Sequence, residues 1–287
     1  MDTLIEPALE GADIYRAIAA AVAISLSGAP LGVFLVLRRM SLSGDVYTHT
    51  LLPGVAVAFL IAGESMTTMI VGGLASGLIV ACLAGLVARY TVLREDAALA
   101  SFYMISLSVG MVLLAGHTDA EELLHVLFGD VFAIDGVSLA VIGAVSSLTL
   151  FVLAMMWRAL VIESYDPVFF ASVNGIGTIM HMTFIILVIL NLVIGATALG
   201  TVMAIGLMTV PGASARFWSR DLSVIVGLSI AIALTSSFAG ILAAARFDLP
   251  AGPTIIFVSG GWFVVSILFG RCGGLILRLT KRPHLET

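Results

Sequence analysis

Charge is scarce in this sequence: the 13 lysines and arginines and 18 acids make only 11% of 287 residues, while 60% are hydrophobic. Soluble domains carry about 25% charged and about 45–50% apolar residues. With a mean hydropathy of +1.16, the chain has too few charges to coat a soluble globule, and it reads as an integral membrane protein. Cysteine is also rare, with only Cys82 and Cys272. One lies mid-span and the other abuts a basic tail, so a disulfide scaffold is excluded and both read as reduced fillers. The formal charge of −5 and the lack of a basic patch outside short loops exclude a nucleic-acid binder. Met1–Asp13 holds Asp2, Glu6, Glu10 and Asp13 without a basic residue. It lacks the positive start of a secretory signal, so the start is expected to belong to the mature protein.

Catalytic landmarks are missing too. The chain contains no GxxxxGK[ST] phosphate loop and no HExxH pair. No loop reaches the size of a catalytic domain, and no long internal repeat or low-complexity stretch is evident. Any chemistry must therefore happen within the membrane or be supplied by a partner.

What is present is a series of apolar runs. A bilayer core needs roughly 20 apolar residues per helix. Runs of that kind fall at 14–37, 41–62, 66–88, 97–115, 136–157, 179–196, 198–217, 222–244 and 254–277. The expected fold is an all-α polytopic bundle of eight or nine spans, a single domain over 1–287. An external loop is placed at 116–135 and a cytoplasmic one at 163–177. The count turns on Gly195–Gly200, which reads either as a tight turn between two helices or as an irregular stretch in one broken segment.

Orientation follows from the bias of lysine and arginine toward cytoplasmic loops. Placing the loops after spans one, three, five, seven and nine inside gathers Arg38, Arg39, Arg89, Arg94, Arg158, Arg216, Arg220, Arg271, Arg278, Lys281 and Arg282. That is eleven of the 13, with Arg16 and Arg246 left outside. The expected topology is N-terminus out and C-terminus in.

The second run contains groups that a membrane disfavours. Asp45 and His49 lie four residues apart and share a helix face. Ionisable groups inside spans usually face a bundle interior and mark ion paths. Counted from Arg39, His49 lies roughly 15 Å into a core about 30 Å thick. Pro53 has no N–H for the carbonyl of residue 49, so with Gly54 it marks a helix break beside the pair. Backbone freed at membrane depth is tolerated where it lines a cavity or meets another helix. A carboxylate, an imidazole and a free carbonyl suit manganese, iron(II) or zinc better than copper(I). The plain alternative is that Asp45 caps the helix at the interface and His49 is satisfied by Thr48 or Thr50.

Other polar groups carry less. His117, Asp119, Glu121, Glu122 and His125 read as a solvated acidic external loop, or as an antechamber for cationic cargo. His181 reads as a packed or interfacial histidine, and His284 lies in the tail. Spacings such as Gly28 with Gly32 and Gly73 with Gly77 allow close helix approach. Proline–glycine breaks recur at Pro53-Gly54, Pro211-Gly212 and Gly252-Pro253, a habit of transport proteins.

Taken in order, these segments resemble the membrane permease subunits of bacterial ABC importers for zinc, manganese and iron. The residues that carry the resemblance are Arg38-Arg39-Met40, Gly44-Asp45, Thr48-His49-Thr50 and Leu52-Pro53-Gly54, followed by Arg94-Glu95-Asp96, Phe128-Gly129-Asp130, the stretch Tyr165–Gly175, Val210-Pro211 through Arg216, and Pro250 through Pro253. The likeness covers nearly the whole chain. It implies a homodimeric pore in the bacterial plasma (inner) membrane, two cytoplasmic ATPase subunits, and an extracytoplasmic metal-binding protein that delivers cargo. Asp45 and His49 are then the residues that meet the ion. No cofactor is permanently bound, and Zn2+ or Mn2+, with Fe2+ as a further option, is the transported species. Asp166, Ala171 and Gly175 match the pattern of a cytoplasmic coupling loop, and Val168-Phe169-Phe170 there offers apolar bulk to a partner. Thr50 departs from the family's usual alanine and adds a hydroxyl beside the proposed site. Three alternatives stay open: a permease for a metal chelate or siderophore, a self-sufficient secondary metal transporter, and an intramembrane hydrolase built on Asp45 and His49. Histidines 117 and 125 lean toward zinc, whereas the oxygen ligands allow manganese or iron(II) equally.

Overall fold

A computed structural model of the chain describes residues 11–40, 43–63, 66–91, 95–114, 134, 136–165, 169–170, 177–247 and 249–276. Uniformly apolar sequence satisfies its backbone groups in lipid only as helix or closed barrel, and the described residues are helices joined by short turns. In chain order they are α1 (Gly11–Leu37), α2 (Ser43–Thr50), α3 (Leu52–Ala62), α4 (Met66–Tyr90), α5 (Glu95–Leu114), α6 (Gly136–Tyr165), α7 (Gly177–Leu199), α8 (Thr201–Ala215), α9 (Leu222–Phe247) and α10 (Ala251–Phe269).

Six of these, α1, α4, α6, α7, α9 and α10, are long and apolar enough to cross a membrane. Three further apolar stretches, Val46–Ala62, Ala97–Leu113 and Met203–Ala215, are shorter. The 15 residues of α8 rise about 22 Å, less than a hydrocarbon core of about 30 Å.

α1 and α7 are the most buried of the long helices. α1 packs against α6, α7, α8 and α9, while α3, α4 and α5 pack together on another flank. α2 lies among α4, α5, α7 and α8, so the short helix sits where the two flanks meet. Because lipid gives no hydrophobic drive between helices, close approach and interhelical hydrogen bonds hold such a bundle. Both devices are present. A Cβ added at Gly32 would collide with the Met208 carbonyl, and one at Gly212 would come within 2.9 Å of the Val33 nitrogen, so α1 and α8 cross backbone to backbone. Buried hydroxyls bridge α1 to α9 through Ser25 and Ser237 at 3.0 Å, and α1 to α6 through Ser27 donating to Ser146 at 3.2 Å. Asn191 Nδ2 on α7 donates to Thr149 Oγ1 on α6 at 2.8 Å.

At the ambiguous glycine stretch the structure has a tight turn. Gly200, with φ of 90°, is the only residue between α7 and α8. The chain folds back so closely there that a Cβ at Gly195 would lie 2.8 Å from that of Ala204. Helix ends differ from the apolar runs in two further places. α6 continues through Tyr165, past the point where Arg158 ends the hydrophobic run, so the start of the expected 163–177 loop is helical. α10 stops at Phe269, and the chain there is tied back when the Cys272 amide donates to the Phe217 carbonyl at 2.7 Å. Cys82 and Cys272 are both free, as expected.

Candidate functional site

The site is built on a helix that breaks. α2 ends at Thr50 and α3 starts at Leu52, with Pro53 in the first turn of α3. The break therefore lies two residues before the proline, because a proline in a first helical turn lacks only an N–H that would have no partner there. The Leu51 amide reaches back to the Thr48 carbonyl at 3.4 Å, and the Val55 amide restarts the ladder on the Leu51 carbonyl at 3.0 Å. Gly54 also serves the packing of α3. A Cβ there would collide with the Gly72 carbonyl, so it lets α3 cross α4 at backbone distance.

Two carbonyls near the break, those of Thr50 and Tyr47, are taken up by side chains. Ser76 Oγ on α4 donates to the Thr50 carbonyl at 2.7 Å, and Ser106 Oγ on α5 donates to the same oxygen at 3.2 Å. The hydroxyl of Thr50 donates to the Tyr47 carbonyl at 2.7 Å. The departure at position 50 is thus turned inward to the helix backbone, and the residue is fully buried.

Positions 45 and 49 stand one helical turn apart on α2, on one face. Tyr47 between them is 1% exposed and anchors the opposite face of α2 in the core. The imidazole of His49 is half-buried, and its ring centroid lies 5.4 Å from that of Tyr103 on α5. The side chain of Asp45 lies outside what is described. Among the described residues no group of three or more His, Cys, Asp and Glu side chains comes together.

A second polar cluster forms where α1, α6 and α7 end together. Arg38 Nη2 donates to Glu163 Oε2 at 2.9 Å, and Arg38 Nε to Ser164 Oγ at 3.4 Å. Arg38 Nη1 lies 3.4 Å from His181 Nδ1, which must accept because a guanidinium only donates. The guanidinium also stands over the Phe184 ring, 4.5 Å from its centroid. Burial pushes Arg38 below the usual arginine range, and the Glu163 carboxylate pulls it back up. An arginine nevertheless stays charged at any accessible pH.

Of the sequence-derived site residues, His49, Pro53 and Gly54 are brought together at the break. Asp166, Ala171 and Gly175 lie outside the described residues, as do His117 and His125. Within the expected 163–177 loop Phe169 is exposed and Phe170 is buried. Sequence reasoning missed Ser76, Ser106 and Tyr103, whose contacts with α2 span long sequence separations and leave no local spacing signal. Ser76 does sit inside the small-residue run of Gly73 and Gly77, where close approach was expected.

With this geometry in place, the comparison with known proteins is decisive. The sequence profile of the ABC 3 transport family matches residues 12–270. The chain belongs to the ABC 3 transport family. Similar members include the manganese transport system membrane protein MntC of Halalkalibacterium halodurans, 28% identical over 267 residues, 92% of this chain and 90% of that one. The manganese import system permease protein ScaB of Streptococcus gordonii is 26% identical over 88% of this chain and 90% of its own. A probable iron transport system membrane protein of Haemophilus influenzae is 26% identical over 94% of this chain and 98% of its own. In fold, the chain is similar to PsaBC from Streptococcus pneumoniae in complex with Fab, with a TM-score of 0.82 at 23% identity over 93% of this chain and 95% of that one. As an ABC 3 family member, the chain is a membrane-embedded permease subunit of the bacterial inner membrane, crossing it several times, and not an enzyme.

Proposed function

We propose that this ABC 3 permease is the pore subunit of an ATP-driven importer of a divalent transition metal, with manganese the leading cargo and zinc and iron(II) the alternatives. The observation that carries the reading is the α2–α3 break: a half-buried imidazole stands one turn from an acid position, at a place where helical hydrogen bonding is interrupted. Manganese leads because relatives matched over most of their length are named for manganese transport, and carboxylate, imidazole and carbonyl donors suit that ion. In this reading Asp45 and His49 meet the cargo, and in a homodimer the pairs of two protomers face one pathway.

The remaining parts follow the same logic. Counting the six long helices with the three shorter apolar stretches gives nine crossings, the second of them broken at Leu51. The N-terminus then lies outside and the C-terminus inside, as the arginine distribution requires. Segment 163–177, carrying Asp166, Ala171 and Gly175, faces cytoplasmic ATPase subunits, and an extracytoplasmic binding protein supplies the metal from the other side. ATP binding by the partners rocks the helices between outward and inward access.

The test is the manganese, zinc and iron content of metal-starved cells that lack the gene and carry either wild type or His49→Ala. One metal should fall in the deletion, return with wild type and stay low with His49→Ala. Unchanged levels of all three metals would refute the assignment.

A further inference from the structure

Arg38 is placed to do more than mark the cytoplasmic side. Its side chain is 9% exposed and that of Glu163 is 11% exposed, a buried ion pair in a chain where charge is rare. Its partners come from two helices that bracket one segment: Glu163 and Ser164 close α6, and His181 and Phe184 lie in the first turns of α7. The residues between those stems, 166–176, include Asp166, Ala171 and Gly175. A single guanidinium therefore ties the end of α6 to the first turns of α7.

The backbone that carries Arg38 is equally constrained. The Met40 amide donates to the Leu35 carbonyl at 2.8 Å and the Arg39 amide to the Val36 carbonyl at 3.3 Å, the paired bonds of a Schellman helix end. Arg39 takes the left-handed position with φ of 60°, where glycine is usual. Strain of this kind persists only where the surroundings over-determine it. The helix α2, which carries positions 45 and 49, starts at Ser43, three residues after Met40.

We propose that Arg38 is a positioning residue that couples the end of α6 and the start of α7 to the end of α1, so that a displacement of the α6 and α7 stems moves α2 and the proposed metal-contacting pair. Charged hydrogen bonds in a low-dielectric setting are stiff and directional. The guanidinium fork holds Glu163 and His181 with separate nitrogens, which an ammonium cannot reproduce. The proposal rests on the reading of 166–176 as the ATPase-facing segment and of the chain as a metal importer.

The test uses the complete transporter, permease with its ATPase subunits and binding protein, reconstituted in liposomes with manganese. Metal moved per ATP hydrolysed is measured alongside the yield of assembled complex. Arg38→Gln should assemble yet move about tenfold less metal per ATP, the size of an ordinary coupling between sites. Arg38→Lys should fall between Arg38→Gln and wild type. Glu163→Gln, which leaves the guanidinium in place and opens only the α6 stem, should also lower the ratio. It serves as the second probe if Arg38→Gln assembles poorly. A wild-type ratio in the assembled variants would overturn the proposal, as would failure of both Arg38→Gln and Glu163→Gln to assemble, since the pair would then serve folding alone. Absence of manganese, zinc and iron uptake by the wild-type complex would instead overturn the importer reading, and this proposal with it.

Discussion

The Thr50 carbonyl accepts hydrogen bonds from Ser76 Oγ at 2.7 Å and from Ser106 Oγ at 3.2 Å, so two neighbouring helices hold one backbone oxygen at the α2–α3 break. Polar backbone in a membrane interior must find partners, and here the partners also fix where the break lies. His49 precedes that oxygen by one residue, so the clasp sets the position of the imidazole as well.

Removing the clasp should reveal its size. Interhelical hydrogen bonds within membranes average about 0.6 kcal/mol. Ser76→Ala or Ser106→Ala alone should therefore lower the thermal midpoint of the detergent-solubilised complex only slightly. The double variant should lower it by more than the two single shifts added, because it leaves the Thr50 carbonyl unsatisfied. Additive shifts would mean that the two serines do not share that oxygen.

The crossing of α3 and α4 sets a second expectation. Gly54 and Gly72 face each other so closely that a Cβ on either would strike the other's carbonyl. Overpacking of this kind typically costs about 1–3 kcal/mol. Gly54→Ala and Gly72→Ala should each reduce the amount of folded protein in the membrane, whereas Gly143→Ala, which meets nothing within 4 Å, should not. Equal yields for all three, read by size-exclusion of solubilised protein, would contradict the backbone crossing.

A coupling role for the segment after α6 predicts a different failure. Gly175→Trp should leave the permease in the membrane but detach or uncouple its ATPase partners, because a bulky side chain enters the docking surface. Recovery of ATPase subunits by pull-down, together with metal uptake, reads this directly. Normal recovery with normal uptake would count against the coupling assignment of Asp166, Ala171 and Gly175.

Much of the helical architecture was legible because lipid demands long apolar runs and the sequence supplies them. α1, α4, α7 and α9 lie close to the runs that announce them. Boundaries were less legible where helix and hydropathy part company. α6 runs to Tyr165 because a helix needs only its own backbone bonds, while the hydrophobic run stops at Arg158. The choice at Gly195–Gly200 depended on whether Gly200 takes a positive φ, which composition does not reveal. At the site, proline announced a break, and the acid–imidazole spacing supplied the expectation of a metal contact. The peptide that breaks, the hydroxyls that receive its carbonyl and the ring of Tyr103 beside His49 depend on contacts between distant segments. Arg38 shows the same limit: the sequence marks it as a cytoplasmic cation, but only the packing of α1, α6 and α7 joins it to Glu163 and His181.

The most direct measurement is uptake of radiolabelled manganese, zinc or iron(II) into liposomes that contain the purified permease with its ATPase subunits and binding protein, comparing wild type with Asp45→Ala and His49→Ala. A metal path through α2 predicts ATP-dependent uptake of at least one metal by wild type, and loss of that uptake in both variants with assembly and basal ATP hydrolysis retained. Wild-type uptake in both variants would contradict it.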